Sequence, residues 1–118
     1  MEADLRRSTR VPFVAHAEII DVHSEVRLKA QTGDLSHHGC YVDMVNPLPL
    51  GVAVKVRIEH RKQTFAATAS VVYSVPHLGM GLAFRDIEAG KEVTLEQWLT
   101  DSASAAQRLD FSSSTPLP

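Results

Sequence analysis

The chain has a single cysteine, Cys40, among 118 residues, which excludes an intrachain disulfide and fits a reducing compartment. It has no surplus of positive charge: 12 Lys and Arg stand against 14 Asp and Glu, a formal net charge of −2. No global field therefore draws in nucleic acid polymers or anionic membranes, and any anion site has to be a local cluster of arginine or lysine. No stretch approaches the roughly 20 apolar residues that span a bilayer. The opening Met1-Glu2-Ala3-Asp4-Leu5-Arg6-Arg7 lacks the apolar run of a secretory signal. The expectation is a cytoplasmic protein without membrane insertion. Internal repeats are missing too, as are a glycine-rich phosphate loop ahead of a helix and a nucleophile–base–orienter set with workable spacing. The chain is accordingly not expected to be an enzyme or to carry a cofactor.

What is present is an ordinary globular composition, 44% apolar, in a length that suits one domain. Residues 1–12 are polar and charged and end in Val11-Pro12; the proline turns Val11 away from helix, so this segment reads as a flexible, extended arm. Phe13 to Val22 has the β-branched content of a strand, and Val26, Leu28 and Ala30 alternate with Arg27, Lys29 and Gln31. His23-Ser24-Glu25 between them reads as a hairpin loop. Cys40, Val42 and Met44 alternate as a third strand, and two prolines make 46–51 a loop.

The clearest strand follows: Val52, Val54, Val56 and Ile58 face one way, and Lys55, Arg57 and Glu59 the other. After the polar hairpin His60-Arg61-Lys62-Gln63, Phe65 to Tyr73 places Ala67, Ala69 and Val71 on one face, small residues suited to a crowded interior. Leu78 to Phe84 is a last strand in which Gly81 admits a close neighbour. Ile87 to Leu99 then takes helical spacing, with Leu95, Trp98 and Leu99 on one side. Residues 101–118, rich in Ser and Ala, read as a disordered tail. The fold class is all-β, a six-stranded antiparallel barrel with Greek-key connections and a C-terminal helix over residues 13–100. Val-rich edge strands leave room for a weak dimer beside the monomer.

Two features carry chemistry. Arg6-Arg7-Ser8-Thr9-Arg10 puts three arginines in five residues, and the guanidinium fork binds phosphate bidentately and stacks on flat rings. Asp34-Leu35-Ser36-His37-His38-Gly39 is a turn sequence whose Asp and Ser bond to nearby backbone and whose Gly supplies positive φ. Taken singly, the first is more simply a solvated basic tail and the second a good turn between strands. His37, His38 and Cys40 sit close enough to suggest a metal site, but no fourth ligand or second cysteine is evident, and exposed turn histidines are the better reading. His16, His23, His60 and His77 are expected at the surface, and Trp98 as the anchor of the helix on the barrel.

In order, Arg6-x-x-x-Arg10 and Asp34-x-Ser36-x-x-Gly39 resemble the signature of the PilZ domain, a bacterial receptor for the second messenger cyclic di-GMP. The resemblance covers roughly residues 5–100. It implies a six-stranded barrel with a C-terminal helix and a ligand site at Arg6, Arg7, Arg10, Asp34, Ser36 and Gly39. Arg6 and Arg10 would hold phosphates and stack on guanine, with Arg7 as a third contact. Asp34 would accept from a guanine edge, because a carboxylate only accepts and guanine N1–H and N2–H₂ donate. Ser36 would bond to guanine or phosphate, and Gly39 would allow the turn and close approach of the ligand. His38 stands where the family commonly has a small residue. The resemblance further implies a conformational change on binding, a downstream protein partner, and a role in motility, biofilm or exopolysaccharide control. The alternative is a ligand-independent PilZ-type interaction domain, as in pilus biogenesis, though such members usually lack these motif residues.

Overall fold

The computed structural model describes residues 9–114, with side chains through 103. Seven strands and one helix follow in chain order: β1 (Val11–Pro12), β2 (His16–Asp21), β3 (Arg27–Leu35), β4 (Gly39–Asp43), β5 (Ala53–His60), β6 (Gln63–Val75), β7 (Gly79–Ile87) and α1 (Lys91–Ser114). Their order across the sheet is β1-β3-β2-β5-β6-β7-β4, and β4 returns to pair with β3. Six antiparallel strands thus close into a barrel, with β1 as an addition. Closure leaves no edge for the Val-rich strands; the two-residue β1 is the remaining short edge, so an edge-to-edge dimer through those strands is not supported by this architecture.

The alternation in the sequence is realised inside the barrel. Val54, Val56 and Ile58 from β5 meet Phe65, Ala67, Ala69 and Val71 from β6, all buried. Ile19, Leu35, Val42, Met80 and Leu82 complete the interior from the other strands. The β5–β6 turn is Arg61-Lys62, both at positive φ (51° and 66°), the conformation of a two-residue type I′ hairpin. Asp21 secures the first hairpin by accepting from the His23 and Ser24 N–H groups at 2.9 and 3.2 Å. The Ser24 bond first, and the His23 bond with it, hold its carboxyl below the usual carboxylate range against the opposing effect of desolvation.

β1 is in effect β2 prolonged along the same strand. Val11 and Pro12 face Leu35 and Asp34, while His16 to Ile20 face Gln31 to Arg27, a register one residue out of step. The slip is absorbed over Phe13–Ala15, and Thr32 fastens it. The Thr32 hydroxyl, fully buried, donates to the Phe13 carbonyl and accepts from the Ala15 N–H at 3.0 Å. Part of the expected free arm is therefore sheet.

The helix begins at Lys91, four residues after the expected start, because Ile87 still pairs with Ala67 in β7. Gly90, at φ 86°, turns the chain between the two. The helix runs to Ser114, through a stretch whose Ser and Ala content suggests a frayed tail. Leu95, Trp98 and Leu99 are buried against one end of the barrel. Trp98 stacks on Phe13 at 5.2 Å between centroids, and its indole N–H donates to Gln63 Oε1 at 3.2 Å. His60 departs from the surface reading: it is half-buried, 4.8 Å from the Phe13 ring and edge-on to Trp98 at 5.6 Å. Burial, and then the charge of Arg61, lower its pKa. Among the described residues no helix is long and apolar enough to cross a membrane.

Candidate functional site

Pro12 lies directly opposite Asp34 in the β1–β3 register, so Arg10, two residues earlier, is the diagonal neighbour of Asp34 on the same face. Arg10 Nη1 reaches Asp34 Oδ1 at 3.1 Å and Oδ2 at 3.4 Å, across 24 residues of sequence. One guanidinium nitrogen serves both carboxylate oxygens, and Nε and Nη2 form no further ion pair or hydrogen bond among the described residues. The two side chains are 48% and 30% exposed, so a ligand from solvent has access to both. Arg6 and Arg7 lie outside the described residues.

Asp34 belongs to β3 rather than to the turn, which shrinks to Ser36-His37-His38. A bulge at Gly33 precedes it, where the β3–β4 register shifts by one residue. Ser36 is buried and engaged with its own loop. Its N–H donates to the Gly39 carbonyl at 2.8 Å, its hydroxyl donates to the same carbonyl at 3.3 Å, and Oγ accepts from the His38 N–H at 3.2 Å. Gly39 has no positive φ, contrary to the sequence expectation. It is glycine because β7 crosses against it: a Cβ there would fall on the Leu82 carbonyl. The space that a side chain would need is filled by protein backbone.

His37 and His38 are exposed, and His37 Nε2 meets Glu96 Oε1 at 2.8 Å, tying the motif turn to α1. Cys40 is buried beneath this corner; desolvation first, then the Asp34 charge, push its thiol up to about 12 against a smaller opposing effect of Arg10. Such a thiol stays protonated and inert at neutral pH. No group of three or more His, Cys, Asp or Glu among the described residues is arranged to hold a metal ion.

Two residues beyond the motifs share the site's face. The cross-strand row that begins at Pro12 and Asp34 continues through Tyr41 on β4 and Gly81 on β7 to Tyr73 on β6. The two tyrosine rings lie near-parallel, 6.2 Å apart and 20° between planes. Glycines beneath them admit this: a Cβ on Gly81 would strike the Tyr73 ring, and one on Gly79 would sit 2.7 Å from the Tyr41 hydroxyl. Partial burial raises the Tyr41 pKa, and Asp43, Tyr73 and Asp34 act in the same direction, keeping the phenol neutral. Alternation puts Tyr73 in phase with the inward Ala67, Ala69 and Val71; the register shift between Val71 and Tyr73 turns it outward, and nothing local showed that it stands in one row with Tyr41 and Asp34.

The closed barrel thus offers a paired arginine and carboxylate at its rim, beside two stacked tyrosine rings. The PilZ domain profile matches residues 4–101, and the chain belongs to the PilZ domain family. Among solved structures, it is similar to the PilZ domain of CeSA from a cellulose-synthesizing bacterium, with 20% identity and a TM-score of 0.64 over 80% of this chain and 97% of that one. It is also similar to the inhibitor of motility MotI/DgrA of Bacillus subtilis, with 19% identity and a TM-score of 0.62 over 79% of this chain and 48% of that one. The chain thus spans about half the length of the motility inhibitor. No curated protein sequence matches it.

Proposed function

We propose that this PilZ domain is a receptor for cyclic di-GMP that passes its ligand state to a partner protein. The observation that carries the reading is the Arg10–Asp34 pair, which joins the two halves of the family signature at one solvent-accessible point. In the free protein each side chain neutralises the other. The ligand replaces that contact with two better ones: guanine N1–H and N2–H₂ donate to the Asp34 carboxylate, and the freed Arg10 fork takes a phosphate. Tyr41, one strand away from Asp34, supplies a ring against which the base lies. Ser36 and Gly39 act through the loop, which they hold in the shape that keeps Asp34 outward. Arg6 and Arg7 add phosphate and guanine contacts from the arm. Because the arm enters the sheet at β1, its capture reorders the surface beside α1, where a partner reads the change. Motility or exopolysaccharide control is the setting that its structural neighbours favour.

Calorimetric titration of the full chain with cyclic di-GMP tests this, with Arg10→Ala and Asp34→Ala alongside. Saturable binding that both substitutions weaken roughly 10- to 100-fold is expected, the equivalent of one charge-assisted hydrogen bond each at about 1.5–3 kcal/mol. The stoichiometry reads out one ligand or an intercalated pair. Absence of binding at high ligand concentration overturns the reading and leaves a ligand-independent interaction domain.

A further inference from the structure

The outer faces of β3, β2 and β5 carry an unbalanced set of charges away from the ligand site. Registers place Lys29, Glu18 and Arg57 in one cross-strand row, and Arg27, Ile20 and Lys55 in the next. Four cations thus surround Glu18, and Glu59, two residues beyond Arg57 on β5, is a further carboxylate of these outer faces. Glu18 is taken by Arg27 at 3.5 Å, while Lys29, Lys55 and Arg57 meet no acidic group among the described residues. This wall is concave: a groove of about 460 Å³ runs between Lys29 and Arg57 over the sheet backbone at Ala17 and Ala30, whose side chains turn to the core, with His16 and Glu59 at its far end. Lys29 lies five residues along β3 from Asp34, about 17 Å away.

The opposite charge lies on a convex element. The exposed side of α1 presents Glu92, Glu96 and Asp101 around Val93, which is 71% exposed. Glu96 meets His37, and Glu92 and Asp101 have no basic partner among the described residues; Lys91, at the first helical position, is half-buried. With a net charge of only −2, two copies repel weakly at long range, so local complementarity decides how they meet.

We infer that a second copy of this chain docks the acidic face of its α1 into the basic groove of the first, in a head-to-tail contact. Glu92 of one copy pairs with Lys29 and Arg57 of the other, and Val93 enters between those side chains. The faces differ, so the contact is heterologous and extends or closes into a ring by geometry. It rests on charge, so salt screens it.

Sedimentation velocity of the full chain over a concentration series, at low and high salt, tests this. The expected result is concentration-dependent association that weakens as salt rises. Arg57→Glu and Glu92→Lys each reduce it at least tenfold with unchanged circular dichroism and melting temperature. An equimolar mixture of the two variants restores it, because each supplies the face the other lacks. Wild-type protein that stays monomeric throughout overturns the inference. So does association indifferent to salt and to both reversals, or a mixture that fails to recover. Neither residue belongs to the Arg10–Asp34 site, so cyclic di-GMP titration of the same variants stays independent of this outcome.

Discussion

Two neighbouring regions of the barrel are built from opposite materials. Where α1 covers the barrel, Trp98, Phe13, Phe65 and His60 pack ring against ring, with buried side chains and one indole hydrogen bond. At the rim, Arg10 and Asp34 face solvent and hold each other by a contact of the exposed kind, worth about 0–1 kcal/mol. The first region holds the fold together, and the second leaves its chemistry available. Phe13–Ala15 joins them, since Phe13 stacks on Trp98 while Thr32 fixes the slip that aims the arm at Asp34. Stability and binding should therefore separate under mutation except at Thr32 and at Gly39, which shapes the loop beside Asp34.

Trp98→Ala should have the largest effect on stability. Removing the ring from the aromatic cap costs about 3–5 kcal/mol, visible as a large fall in the denaturation midpoint. A loss below about 1 kcal/mol would mean that the helix is not needed to close the barrel. Gly39→Ala comes next, at about 1–3 kcal/mol from overpacking against the Leu82 carbonyl. If chemical denaturation shows no change, β4 and β7 are less tightly apposed than the structure has them.

Thr32→Val tests the link. It leaves the buried Ala15 N–H and Phe13 carbonyl without their side-chain partner, at about 1–3 kcal/mol. Unlike Trp98→Ala, it should also weaken ligand binding, because Arg10 is no longer held in register. Equal affinity in calorimetry would show that the bulge does not aim the arm. Asp34→Asn should change stability by less than about 1 kcal/mol and yet impair ligand binding, the reverse of Trp98→Ala.

The smallest effect concerns pH. His60 has a folded-state pKa below its unfolded value of about 6.5, so the unfolded chain binds the proton more readily and stability falls as pH drops through that region. The loss ends below the folded-state pKa. In His60→Phe, which keeps a ring in the cluster, the melting temperature should fall less between neutral and mildly acidic pH than in wild type. An identical slope would assign the acid sensitivity to other groups.

The barrel was largely legible because alternation is a local property: Val54, Val56 and Ile58 announce the core side of β5 whatever lies across from them. The helix was legible in its anchor, Trp98, but not in its start, since Ile87 suits a strand and a helix alike and pairing with Ala67 decides the matter. His60 was read as a surface residue because no local pattern shows that two aromatic rings converge on a hairpin end. At the rim, the motif residues were identifiable but the reason for Gly39 was not: a turn glycine and a glycine under a crossing strand look the same in one dimension.

By itself, then, the sequence determined the strands, their inward faces, the hairpin at Arg61-Lys62 and the residue types able to grip a phosphate and a base. These follow from side-chain periodicity and backbone preference, which act over a few residues. Only the tertiary structure decided that Arg10 meets Asp34, that Tyr41 and Tyr73 stand in the same row, and that the carbonyl of Leu82 forbids a side chain at position 39. Each depends on strand register around a closed barrel. Register is set by burying all the inward faces at once, a condition that no single segment contains.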